Sequence, residues 1–169
     1  MVVILMGPAG SGKTTIGRRL AGTLGWPYHE GDDFHPPENV ALMRAGTALG
    51  DAERAPWLAA LAGVVARCVE GDTSAVIACS ALKRAYRRAL VPDGAPAAAV
   101  RFVYLRATPA LLAERLGTRQ GHYFTAALLE SQLAALEAPG DGEPAPVLTV
   151  DASMEPDALV REIRRGLGA

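Results

Sequence analysis

Five short apolar runs, separated by segments with helical spacing, dominate the pattern of hydrophobic and polar residues along the chain. Residues 2–6 (VVILM) are continuously apolar, as expected of a parallel strand buried on both faces. Ile16, Leu20 and Leu24 then recur at the spacing of one helix face. The five strands predicted from the apolar runs are residues 2–6, 26–30, 74–79, 100–105 and 147–150.

Glycine and proline residues set the predicted ends of several helices. The first helix covers residues 12–24 and stops at Gly25. Pro56 disfavours helix at the residue before it, so residues 46–55 are predicted as a turn-rich connection and a helix as beginning at Pro56. The buried stripe of that helix is predicted at Leu58, Leu61, Val65 and Cys68. Two further predicted helices cover residues 38–45 and 126–136. Three others are predicted from their first residues: one begins at 80–82 and contains Lys83, Arg84, Arg87 and Arg88, one begins at Thr108 and Pro109, and one begins near Pro156.

Strands that alternate with helices, without repeat or linker, predict a single α/β domain over residues 1–169. Its core is an open five-stranded parallel sheet with helices on both faces. Ligands of such sheets bind at the carboxyl ends of the strands. That rule gathers residues 7–14, 30–35, 80–83, Arg106 and Asp151 at one edge of the molecule.

Residues 7–14 (GPAGSGKT) fit the phosphate-binding P-loop pattern G-x-x-x-x-G-K-[ST]. The glycines let backbone N–H groups turn toward phosphate oxygens, Lys13 adds a positive charge, and the Thr14 hydroxyl can bind Mg2+. The alternative is a glycine-rich turn with an incidental lysine. A strand before the loop and a helix after it favour the P-loop, because a helix N-terminus favours a bound anion.

Composition excludes several classes of protein. The formal net charge is -1 at pH 7, with 17 basic and 18 acidic residues, which argues against a nucleic-acid or membrane-surface partner. Cys68 and Cys79 lie in apolar segments and are interpreted as reduced core thiols, which fits a cytoplasmic protein. The N-terminus has no basic region before its five-residue apolar run, and no segment reaches the roughly 20 apolar residues of a membrane span.

An acidic cluster follows the second predicted strand. Asp32, with Glu30 and Asp33 beside it, lies where an acceptor hydroxyl and the shell of a Mg2+ ion are expected. One carboxylate there could orient the hydroxyl or accept its proton. The alternative, a cap for the helix that begins near Glu38, suits Asp33 better than Asp32.

Two groups of basic residues indicate further anion contacts. Lys83 and Arg87 are four residues apart and are predicted on one helix face, where cations in a first turn oppose the helix dipole unless an anion binds. Arg115 and Arg119 are flanked by Gly117 and Gly121, and residues 117–124 are predicted to be mobile, as in a lid that closes over transferring phosphate. The alternatives are a solvated basic face for Arg84 and Arg88 and a surface helix end for Arg115 and Arg119.

Beyond the P-loop, four stretches resemble gluconokinases of the small P-loop type. They are residues 31–36 (GDDFHP) with Asn39 and Met43, 49–58 (LGDAERAPWL), 79–87 (CSALKRAYR) and 115–124 (RLGTRQGHYF). The resemblance reaches Val150 and Asp151, nearly the whole chain, whereas the P-loop is shared with related shikimate and adenylate kinases. Residues 141–146 depart from the family pattern and are not expected to take part in catalysis or substrate binding.

The resemblance implies a P-loop kinase with a mobile lid near residues 115–138, which uses ATP and Mg2+ to phosphorylate D-gluconate at its 6-hydroxyl. Similar kinases are often dimers, so it also suggests a homodimer. The implied catalytic residues are Lys13, Asp32 and Arg119. Those implied for the nucleotide are Gly7, Gly10, Ser11, Gly12, Lys13, Thr14, Thr15, Arg115 and Asp151, with Thr14 on the metal. Those implied for gluconate are Asp32, His35, Arg54, Ser80, Lys83, Arg87 and His122, with Arg54 on the carboxylate.

Two other functions stay open from the sequence. A sister kinase could phosphorylate shikimate or a nucleoside monophosphate, since Arg54 would fit a shikimate carboxylate equally well. A non-catalytic module could use ATP as a switch, although phosphate, acceptor and lid elements are all present. The stretches around His35 and Trp57 favour gluconate.

Overall fold

The computed structural model describes residues 1–118 and 126–168. Within these ranges the chain alternates five strands with seven α-helices and one 3-10 helix. The strands are β1 Val2–Met6, β2 Tyr28–Glu30, β3 Ala75–Ala78, β4 Val100–Arg106 and β5 Val147–Asp151. The α-helices are α1 Lys13–Leu24, α2 Pro37–Arg44, α3 Asp51–Glu70, α4 Arg84–Leu90, α5 Pro109–Gly117, α6 Ala126–Ala135 and α7 Pro156–Leu167, and the 3-10 helix is Gly31–Phe34.

The five strands form one parallel sheet in the order β2-β3-β1-β4-β5. β1 lies at the centre, where Val2 pairs with Ala75 of β3 on one side and with Val100 of β4 on the other. The chain therefore leaves β1 at the point where the strand order reverses, which is where parallel sheets bind their ligands. The predicted fold class is confirmed.

Successive residues of β1 face opposite sides of the sheet and bury two separate cores. Ile4 and Met6 pack with α3 and α4 through residues such as Leu61, whereas Val3 and Leu5 pack with α1 and α7. Each face of the sheet is thus covered by helices, which explains why β1 is apolar throughout.

The prediction for the start of α3 is wrong. The helix begins at Asp51, five residues before Pro56, and Glu53 accepts the Gly50 N–H through Oε2 at 2.8 Å. This cap satisfies a backbone donor at the helix start. Pro56 lies only one turn into the helix, so it removes a single intrahelical hydrogen bond while Trp57 and Leu58 are buried just after it.

Three smaller expectations also change. Residues 31–34, predicted as loop, form the 3-10 helix, and Lys83 precedes α4 as its N-cap residue instead of lying within the helix. In α3 the buried positions include Val64, whereas Cys68 is only half-buried. Thr108 caps α5 as predicted, because its hydroxyl accepts the Leu111 N–H at 3.3 Å.

The predicted lid, residues 115–138, is described at its two ends only. Arg119 and His122 lie outside the described residues, and the mobility of the segment stays a prediction. Among the described residues, no helix is both long and apolar enough to cross a bilayer.

Candidate active site

The loop from β1 to α1 has the backbone conformation of a phosphate cradle. Gly7, Gly10 and Gly12 have φ angles of 142°, 83° and 98°, which side chains other than glycine rarely allow. Gly7 also has little room for a side chain, because a Cβ atom there would lie 3.0 Å from Ser11 Oγ and 3.1 Å from the Leu105 carbonyl oxygen. Gly12 is the N-cap residue of α1, so the loop presents backbone N–H groups at the positive end of the helix.

Lys13 and Thr14 open α1 at the edge of this loop. Lys13 Nζ donates to the carbonyl oxygens of Gly7 at 2.8 Å and Pro8 at 2.9 Å, which holds the ammonium group across the loop. Thr14 lies close to Tyr28, whose hydroxyl donates to Glu30 Oε2 at 2.7 Å. Burial, reinforced by Glu30, raises the pKa of Tyr28 well above its usual value, so the phenol stays protonated.

The acidic cluster after β2 is held against the sheet through Gly31. Gly31 approaches the sheet so closely that a Cβ atom there would lie 2.1 Å from the Ala78 carbonyl oxygen, and its own carbonyl accepts the Trp57 Nε1–H at 2.7 Å. Asp32 and Asp33 follow on the 3-10 helix with exposed side chains. The exposed carboxylates therefore stand on a rigid base at the carboxyl edge of the sheet.

Asp32 and Lys13 lie on either side of the end of β3. Burial raises the pKa of the Cys79 thiol to about 12, and the charges of Asp32 and Lys13 act on the same thiol with opposite signs. Both charges are therefore within electrostatic reach of one buried atom. Asp32 and the phosphate-loop lysine thus lie at the same carboxyl edge of the sheet, on the two sides of the region called the cleft below.

His35 is fixed against Trp57 beside this cleft. The two rings stack with centroids 4.4 Å apart and an interplanar angle of 10°. Asn39 Nδ2 donates to the Glu53 carbonyl oxygen at 2.6 Å and lies 3.4 Å from His35 Nδ1, which can accept from it when the neutral ring carries its proton on Nε2. Burial lowers the pKa of His35, the Asp32 charge opposes this shift, and the Arg54 charge adds to it.

The lowered pKa of His35 gives a testable pH dependence of stability. Because the folded protein favours the neutral ring, this contribution is complete above the unfolded pKa of 6.5 and is lost as the pH falls through the lower folded value. Urea unfolding between pH 7.5 and pH 5 should therefore show a steeper loss of free energy in the wild type than in His35→Gln. Equal slopes in the wild type and His35→Gln would refute the coupling.

Arg54 of α3 and Lys83, which precedes α4, form the far side of the cleft and are called the cationic wall below. Lys83 Nζ donates to both carboxylate oxygens of Asp51, at 2.7 and 2.9 Å, and the Tyr86 hydroxyl donates to the same carboxylate. Arg54 Nη1 donates to the Tyr86 hydroxyl at 3.4 Å, with its guanidinium 5.8 Å from the ring centroid. Hydrogen bonds from Lys83 and Tyr86 lower the pKa of Asp51, so this carboxylate is ionised at neutral pH.

Arg115 and Asp151 mark the other end of the phosphate loop. Arg115 Nη2 donates to the Ala152 carbonyl oxygen at 2.9 Å, and Nη1 lies 3.9 Å from the position of a Cβ atom at Gly12. Asp151 accepts the Ser153 N–H at 2.9 Å and so shapes the turn after β5. The Arg115 guanidinium therefore lies between the phosphate loop and the turn after β5.

Comparison with known proteins agrees with this geometry. The family described as AAA domain matches residues 2–139. The chain is 45% identical over 163 residues to the gluconokinase of Gluconobacter oxydans, covering 96% of this chain and 89% of that protein. The chain belongs to the gluconokinase family.

Two solved structures extend the comparison to the whole fold. An unliganded sugar kinase from Janibacter sp. HTCC2649 is 38% identical with a TM-score of 0.89, covering 99% of this chain and 94% of that one. A gluconokinase from Sinorhizobium meliloti 1021 is also 38% identical, with a TM-score of 0.83 and coverage of 99% and 91%. The recognition made from the four sequence stretches is thereby confirmed.

The structure brings most of the predicted site residues of this gluconokinase family member to one edge, but it does not bring Arg87 there. The Arg87 side chain is fully buried and forms a bidentate ion pair with Glu143, with both N–O distances 2.6 Å. Its Nη1 also donates to the carbonyl oxygens of Ala81 and Leu82 at 3.1 Å. With these donors occupied, the geometry gives Arg87 a structural role in place of the predicted contact with gluconate.

Other predicted residues keep their place at the edge without a demonstrated role. Ser80 follows β3, where its carbonyl oxygen accepts the Gly7 N–H at 3.2 Å, and Thr15 is exposed on the first turn of α1. Ser11 is buried, and its hydroxyl has no hydrogen-bond partner in the described part of the chain. The roles of these residues in binding stay predictions.

Sequence reasoning missed three residues that the structure places at the site. Asp51 and Tyr86 were inside stretches that carried the family resemblance, but no role was inferred for them. Gln132 of α6 is a polar residue to which the pattern of apolar positions assigns no role. Its Oε1 accepts the Ala9 N–H of the phosphate loop at 2.7 Å. No local sequence signal indicates a contact across 123 residues.

Proposed function

We propose that this chain transfers the γ-phosphoryl group of ATP to the 6-hydroxyl of D-gluconate, forming 6-phospho-D-gluconate and ADP. The observation that carries the proposal is the cleft itself, in which the phosphate loop faces an exposed carboxylate, a histidine and a cationic wall. A linear polyhydroxy acid needs this combination, since a cation can pair with its carboxylate while polar side chains bind its hydroxyls. Family membership gives the same substrate.

The nucleotide binds, in this proposal, along the loop from Gly7 to Thr14. Backbone N–H groups and Lys13 bind the β- and γ-phosphates, and Arg115 lies where it can contact the nucleotide near Gly12. Asp151 shapes the turn after β5, and we propose that this turn borders the base. Arg119 is proposed to act on the transferring phosphate, as the family resemblance implies.

Magnesium fits this site only in combination with the nucleotide. Among the described residues, no group of three or more His, Cys, Asp or Glu side chains could hold a metal ion. Mg2+ commonly binds through substrate phosphates and one or two protein oxygens, and Thr14 has a hydroxyl at the start of α1 beside the loop. When bound, the ion would neutralise negative charge on the phosphates.

Asp32 is proposed to hold the 6-hydroxyl for in-line attack. Its position on the anchored 3-10 helix supports this role, because a carboxylate on a fixed backbone can hold the hydroxyl in one orientation. A loose transition state needs little basicity, so orientation is the first requirement and proton acceptance the second. His35 is a candidate partner for another hydroxyl, because its Nε2 is not used by Asn39. His122 is proposed for a further hydroxyl through the family resemblance.

Arg54 and Lys83 are proposed to bind the gluconate carboxylate at the cationic wall. Arg54 is the better candidate for a direct pair, because its main contacts are with the Tyr86 ring and hydroxyl. Lys83 is already paired with Asp51, so its approach to the substrate requires that this pair be shared. The two cations together define the acidic end of the substrate.

Arg54→Ala should act mainly on gluconate. Loss of a desolvated charge pair costs about 2 to 5 kcal/mol, which corresponds to a rise in the KM for gluconate of roughly 30-fold or more. The KM for ATP should change little. Arg67→Ala removes an exposed arginine from the same helix and should leave both constants unchanged. Equal losses for ATP and gluconate in Arg54→Ala would contradict the assignment.

One assay separates this function from its rivals. ATP consumption coupled to ADP detection should be measured with gluconate, shikimate, AMP and related sugar acids as acceptors. We expect turnover with gluconate far above the others. Preference for shikimate or AMP would identify a sister kinase, and ATP binding without acceptor-dependent turnover would identify a nucleotide-dependent switch.

We further propose that residues 1–169 act as one kinase domain, with residues 115–138 serving as its lid. Cytoplasmic location is proposed from the two free cysteines, Cys68 and Cys79, and a homodimeric state is proposed from the family resemblance. Sedimentation velocity on the full chain measures the oligomeric state directly.

A further inference from the structure

Helix α6 contacts the phosphate loop through one polar side chain. Gln132 lies on this helix, and its Oε1 accepts the backbone N–H of Ala9 at 2.7 Å in a partly buried position. Ala9 lies between Gly7 and Gly10 in the part of the loop that precedes Lys13. A side chain from a distant helix thus satisfies one donor of the phosphate cradle.

The end of α6 is attached to the other half of the cleft. The Glu137 N–H donates to the Leu82 carbonyl oxygen at 2.9 Å, and Glu137 Oε2 accepts the Arg84 N–H at 2.6 Å. These bonds hold the segment that follows α6 against the connection that contains Lys83. The helix therefore spans from the phosphate loop to the cationic wall.

We propose that Gln132 is a positioning residue of the nucleotide site, which fixes the phosphate loop through Ala9 and adjoins the triphosphate. A carboxamide can do both, because its oxygen accepts the Ala9 N–H while its Nε2 group can donate to a phosphate oxygen. The loop is packed on its other side by α5, where a Cβ atom at Gly10 would lie 3.1 Å from the Leu112 carbonyl oxygen. Gln132 adds a hydrogen bond to the loop from α6. The proposal rests on the proposed use of ATP.

Gln132→Met tests the hydrogen bond, because methionine has nearly the same length but no comparable acceptor. An unsatisfied, partly buried N–H weakens the loop, and we expect the Kd for ATP to rise about 10-fold. Calorimetry with ATP in the absence of an acceptor measures this, while the KM for gluconate should stay within about twofold of wild type. Ala134→Met places the same side chain at an exposed position of α6 and should bind ATP as the wild type does.

Gln132→Glu separates positioning at the phosphates from simple anchoring of the helix. The carboxylate still accepts the Ala9 N–H, so the unfolding temperature should match that of the wild type. Its charge beside the triphosphate should nevertheless weaken ATP binding, and the weakening should shrink as ionic strength rises. This variant also serves if Gln132→Met fails to fold.

Three results would overturn the proposal. They are wild-type ATP affinity in Gln132→Met, wild-type ATP affinity at low salt in Gln132→Glu, and equal losses for ATP and gluconate that follow the loss of thermal stability. Because ATP binding is measured without an acceptor, the first two results do not depend on whether gluconate is the substrate. Activity of the wild type with gluconate tests the proposed function separately.

Discussion

Lys13→Ala should abolish turnover while the protein stays folded. Lys13 Nζ is held across the loop by the carbonyl oxygens of Gly7 and Pro8, where its charge can neutralise the β- and γ-phosphates. A single cation that stabilises the transition state of phosphoryl transfer is worth about 1,000- to 100,000-fold in rate, so we expect kcat to fall by at least about 1,000-fold. Gluconate affinity should change less, because the cationic wall is untouched.

The lysine also bonds to the loop itself, so folding must be measured beside activity. Thermal unfolding without ligands should show a small change relative to the loss of kcat, since the core beneath the loop is formed by buried residues of β1. Arg19→Ala removes a cation from the exposed face of α1 and should keep full activity. Near wild-type kcat in Lys13→Ala would show that the phosphate loop is wrongly assigned.

The parts of the fold that sequence predicts well are those fixed by local composition. β1 is a continuous apolar run between two helical faces, and the glycines at positions 7, 10 and 12 indicate backbone angles that the structure contains. Both features follow from single stretches of chain. Parallel strands then bring the ends of distant runs to one edge, so Asp32 and Lys13 could be placed together before their geometry was known.

The errors arise where one local rule competes with contacts made elsewhere. Pro56 favours a helix start, but the cap from Glu53 and the burial of Trp57 extend α3 to Asp51. The earlier start brings Asp51 next to Lys83. The cationic wall therefore depends on a helix boundary that a proline rule places five residues too late.

Long-range pairs of polar side chains were the least predictable part of the site. The spacing of four residues predicts Arg87 on the same helix face as Lys83. In the structure the Arg87 guanidinium is buried and pairs with Glu143, which lies 56 residues further along the chain. The loop that contains Glu143 departs from the family pattern, so the sequence indicates no contact between this loop and the predicted site residues. A fully buried charge needs a partner, but sequence spacing alone does not show which carboxylate provides it.

Asp32→Asn should separate orientation of the acceptor hydroxyl from acceptance of its proton. The amide keeps the size of the carboxylate and one acceptor oxygen but removes its charge. Gly31 anchors the 3-10 helix against β3 and Trp57, so the substitution should not move the backbone. If Asp32 both orients the hydroxyl and takes its proton, kcat should fall by about 100- to 10,000-fold, with the KM for ATP little altered.

The neighbouring carboxylate supplies the matched control for that result. Asp33→Asn removes an equally exposed charge from the same 3-10 helix and should leave kcat within a few-fold of wild type, because Asp32 is the carboxylate whose charge reaches Cys79 and His35. Both variants should be measured at saturating gluconate, so that weaker binding is not mistaken for slower chemistry. Nearly full kcat in Asp32→Asn would limit Asp32 to a replaceable contact. A large loss in Asp33→Asn would then transfer the role to Asp33, whereas Glu30 is already engaged by the Tyr28 hydroxyl and would have to release it before it could hold a substrate.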